Sequence, residues 1–365
     1  MRILNTIGPV LTSEARAILE KVGRVEDYTS SQEALAQSIG EYDAALVGLG
    51  LIFDRNVLMA ARKLRVIATA TTGLDHVDIE MARERGIEVL SLRGEEEFLS
   101  SITGTAELAF GLLIDLARRV PWALRAVERY EWNREQFRGH SFSGKTLGIV
   151  GLGRLGRIMT RQAAGFGVRV IFFDPYVAAP SPRFFSSTPD VSPSPVVVSA
   201  KTTTGSSSTS GVFPKNRDES SALEAVKVNL DTLLSESDAI SIHVHLTHET
   251  EGMFGEREFE QMKPSAYLVN TSRGKIVDER ALLFALEQNK IAGYGTDVLA
   301  DELSFETAGF AHHPLVEYAK THENLLIVPH IGGMTVESRA ATDIFIAQKL
   351  VRYLRDTAAR EDLVT

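Results

Sequence analysis

A chain of 365 residues is long for a single hydrophobic core, so two domains are expected. Its 44% hydrophobic and 24% charged residues fit an ordinary globular protein, and a net charge of -9 argues against nucleic acid as a bulk partner. The absence of cysteine excludes disulfides, thiolate nucleophiles and cysteine-based zinc sites.

Met1–Asn5 enters an apolar strand with no long hydrophobic region behind it, so no signal peptide is expected. Short β-like runs follow at Ile3–Ile7, Ala44–Val47, Val66–Ala70 and Glu88–Leu90. Helical segments lie between them, such as Thr12–Val22, where Ala15, Ile18, Leu19 and Val22 share one face. Strand and helix in alternation predict an α/β fold with a parallel sheet covered on both faces. Gly104–Leu116 is apolar nearly all round and reads as a buried helix joining two domains. No uninterrupted apolar run approaches the roughly 18 residues of a membrane span, so a soluble protein without a membrane partner is expected.

A second alternating series begins at Thr146, with strands at Leu147–Val150, Val168–Phe173, Ala239–His243, Ala266–Val269, Ala292–Thr296 and Leu325–Val328. Helical patterns separate them at Leu155–Gly165, Leu230–Glu236 and Glu279–Gln288. Beyond Thr335 an amphipathic helix carries Ile344, Ile346, Ala347, Leu350 and Leu354. One stretch breaks the alternation: from Pro180 to Ser210, 20 of 31 residues are Ser, Thr or Pro. That composition cannot bury a core and predicts a disordered surface insertion over about 178–221. Closure entropy grows only with the logarithm of loop length, so the insertion costs about 1 kcal/mol. The predicted division is therefore 1–103 plus 336–365 as one domain and 104–335 as the other.

The strand Leu147–Val150 runs into Gly151-Leu152-Gly153-Arg154-Leu155-Gly156. Gly151 suits a tight turn, Gly153 a close approach of backbone to a pyrophosphate, and Gly156 close packing of helix on strand. The free N–H groups of the helix that follows would face the diphosphate. A lone glycine motif is weak, but strand, turn, helix and second strand in sequence make it a dinucleotide-binding signature. Asp174 ends the second strand, 18 residues after Gly156. A carboxylate there accepts the adenosine ribose hydroxyls and repels a 2′-phosphate, which favours NAD over NADP.

Three later strands each run into polar residues at their C-terminal ends, where an open α/β sheet binds ligands. They lead into Asn270-Thr271-Ser272-Arg273-Gly274, into Asp297 and then Glu302, and into Pro329-His330-Ile331-Gly332-Gly333. These residue types suit reduction of a 2-oxo acid. Histidine can supply the proton that the carbonyl oxygen needs, a carboxylate beside it holds the imidazole and raises its pKa, and arginine can fork onto the substrate carboxylate. Singly, Arg273, Glu302 and His330 could each be an ordinary loop residue. Together, downstream of a dinucleotide motif, they form a catalytic set.

These segments, with Gly73-Leu74-Asp75-His76-Val77-Asp78 and Gly144-Lys145-Thr146, resemble the D-isomer-specific 2-hydroxyacid dehydrogenase family, which includes phosphoglycerate dehydrogenase. The likeness runs from about Arg2 to Arg352, apart from the insertion. It implies two Rossmann-like or flavodoxin-like domains around a cleft, a C-terminal helix returning to the first domain, a cytoplasmic homodimer, and turnover of a small 2-hydroxy or 2-oxo acid with NAD. It implies Arg273, Glu302 and His330 as catalytic residues, with His330 the proton donor and Asp297 near the nicotinamide. Around the cofactor it implies Arg154, Leu155, Asp174, His243, Val244, His245, Thr247, Thr271, Ser272, His330, Gly332 and Gly333. The backbone at Thr72-Gly73 would face the substrate carboxylate.

The chain departs from the family pattern in places. Leu303 follows Glu302 where proline is usual, and His245 replaces a proline close to the adenine pocket. Leu92–Thr103 is longer than the common form and could carry Arg93 into the cleft. Thr69 stands where some phosphoglycerate dehydrogenases carry an arginine, which argues against 3-phosphoglycerate. His312, His313 and His322 are expected to be exposed, and the spacing of His243, His245 and His248 lacks the carboxylates of a metal site, so no metal is expected. Two other readings stay open: an NAD-sensing protein similar to transcriptional corepressors of the family, and a copy inactivated by the insertion.

Overall fold

In the computed structural model, residues 1–177, 225–302, 305 and 310–362 are described. The insertion expected at 178–221 lies wholly within 178–224, outside the described residues, as does Leu303.

The first sheet has five parallel strands: β1 (Arg2–Asn5), β2 (Arg24–Asp27), β3 (Ala44–Val47), β4 (Val66–Thr69) and β5 (Glu88–Leu90), in the order β2-β1-β3-β4-β5. This is the flavodoxin-like order. β3 and β4 are buried throughout, as the continuous apolar runs AALV and VIAT require of strands covered on both faces. β2 was not expected from the sequence. Its residues Arg-Val-Glu-Asp show no apolar run because it is a half-exposed edge strand, held by the Arg2–Glu26 ion pair and by pairing with β1.

The second sheet has seven parallel strands: β6 (Thr146–Val150), β7 (Arg169–Phe173), β8 (Ala225–Lys227), β9 (Ala239–Ile242), β10 (Tyr267–Asn270), β11 (Gly293–Thr296) and β12 (Leu325–Ile327). Their order, β12-β11-β10-β9-β6-β7-β8, reverses direction at β6/β9 in the doubly wound manner, which opens a crevice at the carboxyl ends of those strands. Short β8 is again an edge strand without an apolar run.

By length and composition alone, the stretch Glu96–Arg118, with mean hydropathy 1.3, could cross a membrane, a property it shares with the core helices of soluble proteins. It comprises two helices, Glu96–Leu99 and Gly104–Arg118, and the second packs on β10 and β11. Ala109, Phe110, Leu112, Leu113 and Leu116 join one core with Leu147, Ile149, Phe172 and Val269. Gly295 makes the approach possible: a methyl group there would stand 3.2 Å from Leu112 Cβ and from Leu116 Cδ1. The final helix, Val336–Asp362, returns to the first sheet. Its Ile346, Ala347, Leu350, Val351 and Leu354 share a core with Leu19, Leu46, Val66 and Leu90, and Lys349 Nζ donates to Ser91 O at 2.9 Å.

Candidate active site

The glycine loop after β6 has the geometry its composition suggested. Gly151 has φ +93°, and a side chain there would run into His243 O at 2.7 Å and Val244 Cγ1 at 2.8 Å. A methyl on Gly156 would overlap Gly151 O, so only glycine lets the helix Arg154–Gly165 start this close to β6. Gly153 faces open space, and no side chain caps that helix. Its first-turn N–H groups are thus directed at whatever occupies the crevice. Asp174 closes the loop from the end of β7: Oδ2 accepts from Leu152 N and Oδ1 from Tyr176 N, both at 2.9 Å. Each oxygen keeps lone pairs for further donors. These features fit a dinucleotide.

The Arg154 guanidinium turns away from the glycine loop, donating to Leu99 O at 3.1 Å and to Ile102 O, and burial pulls its pKa down. Arg154 and Leu155 therefore offer the crevice their backbone. His243 is tied to Ser241 Oγ through Nε2 at 2.9 Å, and burial, with the charge of Arg154, lowers its pKa to about 4. It is neutral at physiological pH. His245 lies within the electrostatic reach of Arg93, Arg273 and Asp75, toward the catalytic cleft. Thr247 N donates to Thr250 Oγ1 at 2.8 Å, closing the turn after β9.

At the end of β10, the Asn270 side chain wraps the turn that presents Arg273. Its Nδ2 donates to Arg273 O at 2.8 Å and its Oδ1 accepts from Ser272 N at 3.0 Å. Ser272 Oγ donates to Ile242 O at 2.8 Å, while buried Thr271 Oγ1 has no partner among the described residues. The Arg273 guanidinium crosses to the first sheet. Nε donates to Asp75 Oδ2 at 2.7 Å, Nη1 donates to Ser272 O at 2.7 Å, and Nη2 lies where any side chain at Gly73 would be. Burial pushes the Asp75 pKa up, but the hydrogen bond and charge of Arg273 outweigh it, and the net shift is downward. Among the described residues, the N–H groups of Thr72 and Gly73 donate to no protein acceptor.

His330 follows β12 with φ +44°, its own N–H held by Asp297 O at 2.8 Å. Its Nδ1 pairs with Glu302 Oε1 at 2.9 Å, leaving Nε2 for the cleft. Burial pulls the His330 pKa down. The Glu302 hydrogen bond and charge, with the charge of Asp297 added, override burial and raise it. Asp297 is 3% exposed; its Oδ2 accepts from Gly332 N at 2.7 Å, and its buried Oδ1 has no partner among the described residues. Burial raises its pKa. Gly333 stands in open space beside this turn.

His330, Glu302 and Asp297 border a cleft of about 1300 Å³. The first sheet contributes Ile7, Leu49, Leu51 and Thr71 to its wall, and the second Ile331 and Met334. Glu302 and His330, far apart in the chain, thus meet at one cleft edge; Arg273 is not among the residues lining the cleft, and its charge acts on His330 from nearby. Of the three histidines expected to be exposed, His312 and His322 are, whereas His313 is only 15% exposed and pairs with Glu279 at 3.3 Å, against expectation. The rings of Phe305 and Phe310, with centroids 6.0 and 6.3 Å from the imidazole, account for the burial. No cluster of three metal-ligating side chains occurs among the described residues. Sequence reasoning gave no role to Asp75, His76 or Thr71, and weighed Thr69 only as the place of an arginine in some relatives. The one signal was the Gly73–Asp78 stretch itself.

The family model described as D-isomer specific 2-hydroxyacid dehydrogenase, NAD binding domain, matches residues 110–200 and 200–332. D-3-phosphoglycerate dehydrogenase of Methanocaldococcus jannaschii is 32% identical over 350 residues, 96% of this chain and 57% of the relative. The chain thus spans little more than half the length of that relative. Glyoxylate reductase of Thermococcus litoralis is 34% identical over 328 residues, covering 88% of this chain and 83% of the relative. Among solved structures, the apo form of D-lactate dehydrogenase from Escherichia coli matches with a TM-score of 0.73 at 25% identity, over 98% of both chains. D-lactate dehydrogenase from Aquifex aeolicus, complexed with NAD and lactic acid, matches at 0.74 and 23% identity, over 97% of this chain and 96% of the other, a likeness of fold.

Proposed function

The chain belongs to the D-isomer specific 2-hydroxyacid dehydrogenase family, and from that membership we propose that it is an NAD-dependent oxidoreductase acting at C2 of a small 2-hydroxy or 2-oxo acid. The observation that carries the reading is the Glu302–His330 pair at the cleft edge, with the charge of Arg273 close enough to act on His330. In this reading residues 1–103 and 336–365 bind the acid and 104–335 bind the dinucleotide.

When bound, NAD exchanges a hydride with C2. The protein's part is to hold the acid and manage one proton. Arg273 and the N–H groups of Thr72 and Gly73 hold the carboxylate, the guanidinium supplying a fork geometry. Glu302 accepts from His330 Nδ1–H, so the proton on Nε2 is the one delivered to the C2 oxygen in reduction and recovered in oxidation. The raised His330 pKa favours the charged donor near neutrality. Asp174 reads the ribose, and the uncapped helix start at Arg154 takes the pyrophosphate. The apolar cleft wall of Ile7, Leu49, Leu51, Ile331 and Met334 takes the C3 substituent.

The reading also includes a homodimer and a cytoplasmic location. A second copy would cover Leu124, Val127, Tyr130 and Trp132, the last two 98% and 89% exposed on one short stretch. Sedimentation and cell fractionation test these two points. The function is tested by NADH oxidation with a panel of 2-oxo acids running from glyoxylate to substrates with large apolar C3 groups. Turnover on at least one supports it. Tight NADH binding with no turnover on any would overturn it in favour of an NAD sensor.

A further inference from the structure

The Thr71–Gly73 turn is braced by a chain of three side chains, Thr71, Thr69 and His76. Thr71 Oγ1 lies 2.6 Å from Gly73 O, Thr69 Oγ1 lies 3.0 Å from Thr71 Oγ1, and His76 Nε2 lies 3.2 Å from Thr69 Oγ1. Thr69 and His76 are both 0% exposed. The direction of this chain follows from its end. A carbonyl oxygen only accepts, so the Thr71 hydroxyl donates to Gly73 O. Thr71 Oγ1 must then accept from the Thr69 hydroxyl, and Thr69 Oγ1 must accept from a proton on His76 Nε2. The imidazole is left with an unprotonated Nδ1, and that atom is buried with no partner among the described residues.

We propose that His76 is a positioning residue for the acid-binding turn: as its Nε2–H tautomer it orients Thr69 and Thr71 so that the Gly73 carbonyl is held inward and the Thr72 and Gly73 N–H groups face the substrate carboxylate. This rests on the function proposed above. The backbone around the relay is fixed at both ends. Leu92 N donates to Thr71 O at 3.0 Å, Phe53 N donates to His76 O at 2.8 Å, and Asp78 Oδ1 caps the helix Ile79–Glu84 through Met81 N at 2.9 Å. With the frame anchored, the hydroxyl chain decides how the intervening peptides tilt. Burial lowers the His76 pKa to about 4, so the same tautomer serves across the neutral range.

Thr69→Val is isosteric and deletes the middle link. It is expected to raise KM for the 2-oxo acid roughly tenfold, the size of one lost hydrogen bond, with kcat and the NADH dissociation constant within about twofold of wild type. Thr69→Ser should restore KM, and His76→Gln, which keeps a donor at the Nε2 position, should retain more of it than His76→Phe. An unchanged KM in a folded Thr69→Val protein would overturn the proposal. A second readout does not depend on turnover. The ¹⁵N resonances of His76 in the labelled protein should report a neutral ring protonated on Nε2 at pH 7, and a ring protonated on Nδ1 would overturn the relay. If no acid is turned over at all while this signal is present, the function is wrong and the relay stands.

Discussion

Arg273 and Asp75 stand 198 positions apart in the chain, yet Arg273 Nε donates to Asp75 Oδ2 at 2.7 Å and so joins the loop after β10 to the loop after β4. The pair is part-exposed, so it adds little to stability. What it does is orient. With Nε on Asp75 and Nη1 on Ser272 O, Nη2 is pressed toward Gly73, beside the free N–H groups there. Asp75→Ala should therefore raise KM for the acid about tenfold to a hundredfold, the range for a charge-assisted hydrogen bond, while NADH titration by fluorescence gives a near-normal dissociation constant. Asp75→Asn, which still accepts from Nε, should fall between. Wild-type KM in Asp75→Ala would show that Arg273 needs no help from the first sheet.

The Glu302–His330 pair has a pH signature with a definite sign. Its hydrogen bond and charge raise the His330 pKa against the pull of burial. Reduction needs the protonated ring, so kcat/KM for the 2-oxo acid should hold at acid pH and fall as pH rises through that raised value; oxidation of the hydroxy acid should show the opposite limb. Glu302→Gln removes the charge and should move both limbs to lower pH. Stability has the same sense: the pair's contribution is complete below about pH 6.5, the unfolded value, and is lost as pH rises through the folded one. His330→Ala should lower kcat by roughly 10²–10⁴-fold with NADH binding nearly intact, and ordinary turnover by that variant would remove His330 from the chemistry.

Asp174 carries two burdens, since it pins Leu152 N and Tyr176 N and also ends β7 at the crevice. Asp174→Ala should weaken NADH binding and ease discrimination against NADPH, because the charge that repels a 2′-phosphate is gone. The ratio of the two dissociation constants is the measurement. An unchanged ratio would place ribose recognition elsewhere.

Local patterns in the chain were readable, and contacts decided by packing were not. The run from Thr146 to Asp174 announces strand, glycine turn, helix and strand because each residue's role depends on near neighbours. The buried strands β3 and β4 are apolar throughout and could be read as such, whereas β2, with Arg24, Glu26 and Asp27, has the composition of a loop and becomes a strand only through pairing with β1. Glu302 and His330 could be picked out because both follow strand ends. Asp75, by contrast, meets Arg273 through the way the two sheets face each other, which spacing does not encode. The direction of the His76 relay depends on hydroxyl geometry within a core, and the burial of His313 on the rings of Phe305 and Phe310 that lie against it.

Gly156 provides a test that separates fold from function. A methyl at this position would overlap Gly151 O and reach Ile149 Cγ2 at 3.0 Å, so the helix Arg154–Gly165 would have to move away from β6. The loop that moves with it contains Gly151, already at φ +93°, and Leu152, whose N–H is held by Asp174. Displacing the helix start withdraws its N–H groups from the pyrophosphate position and loosens the Asp174 contact, so NADH binding should weaken by more than tenfold in Gly156→Ala. Strain in a packed interface costs about 1–3 kcal/mol, so the melting temperature should fall by only a few degrees. Gly153→Ala makes the contrast, because a methyl there meets nothing in the protein. It should leave the melting temperature unchanged and still weaken NADH, since the space it enters belongs to the dinucleotide. If Gly153→Ala bound NADH normally, the open face at Gly153 would have no part in holding the cofactor.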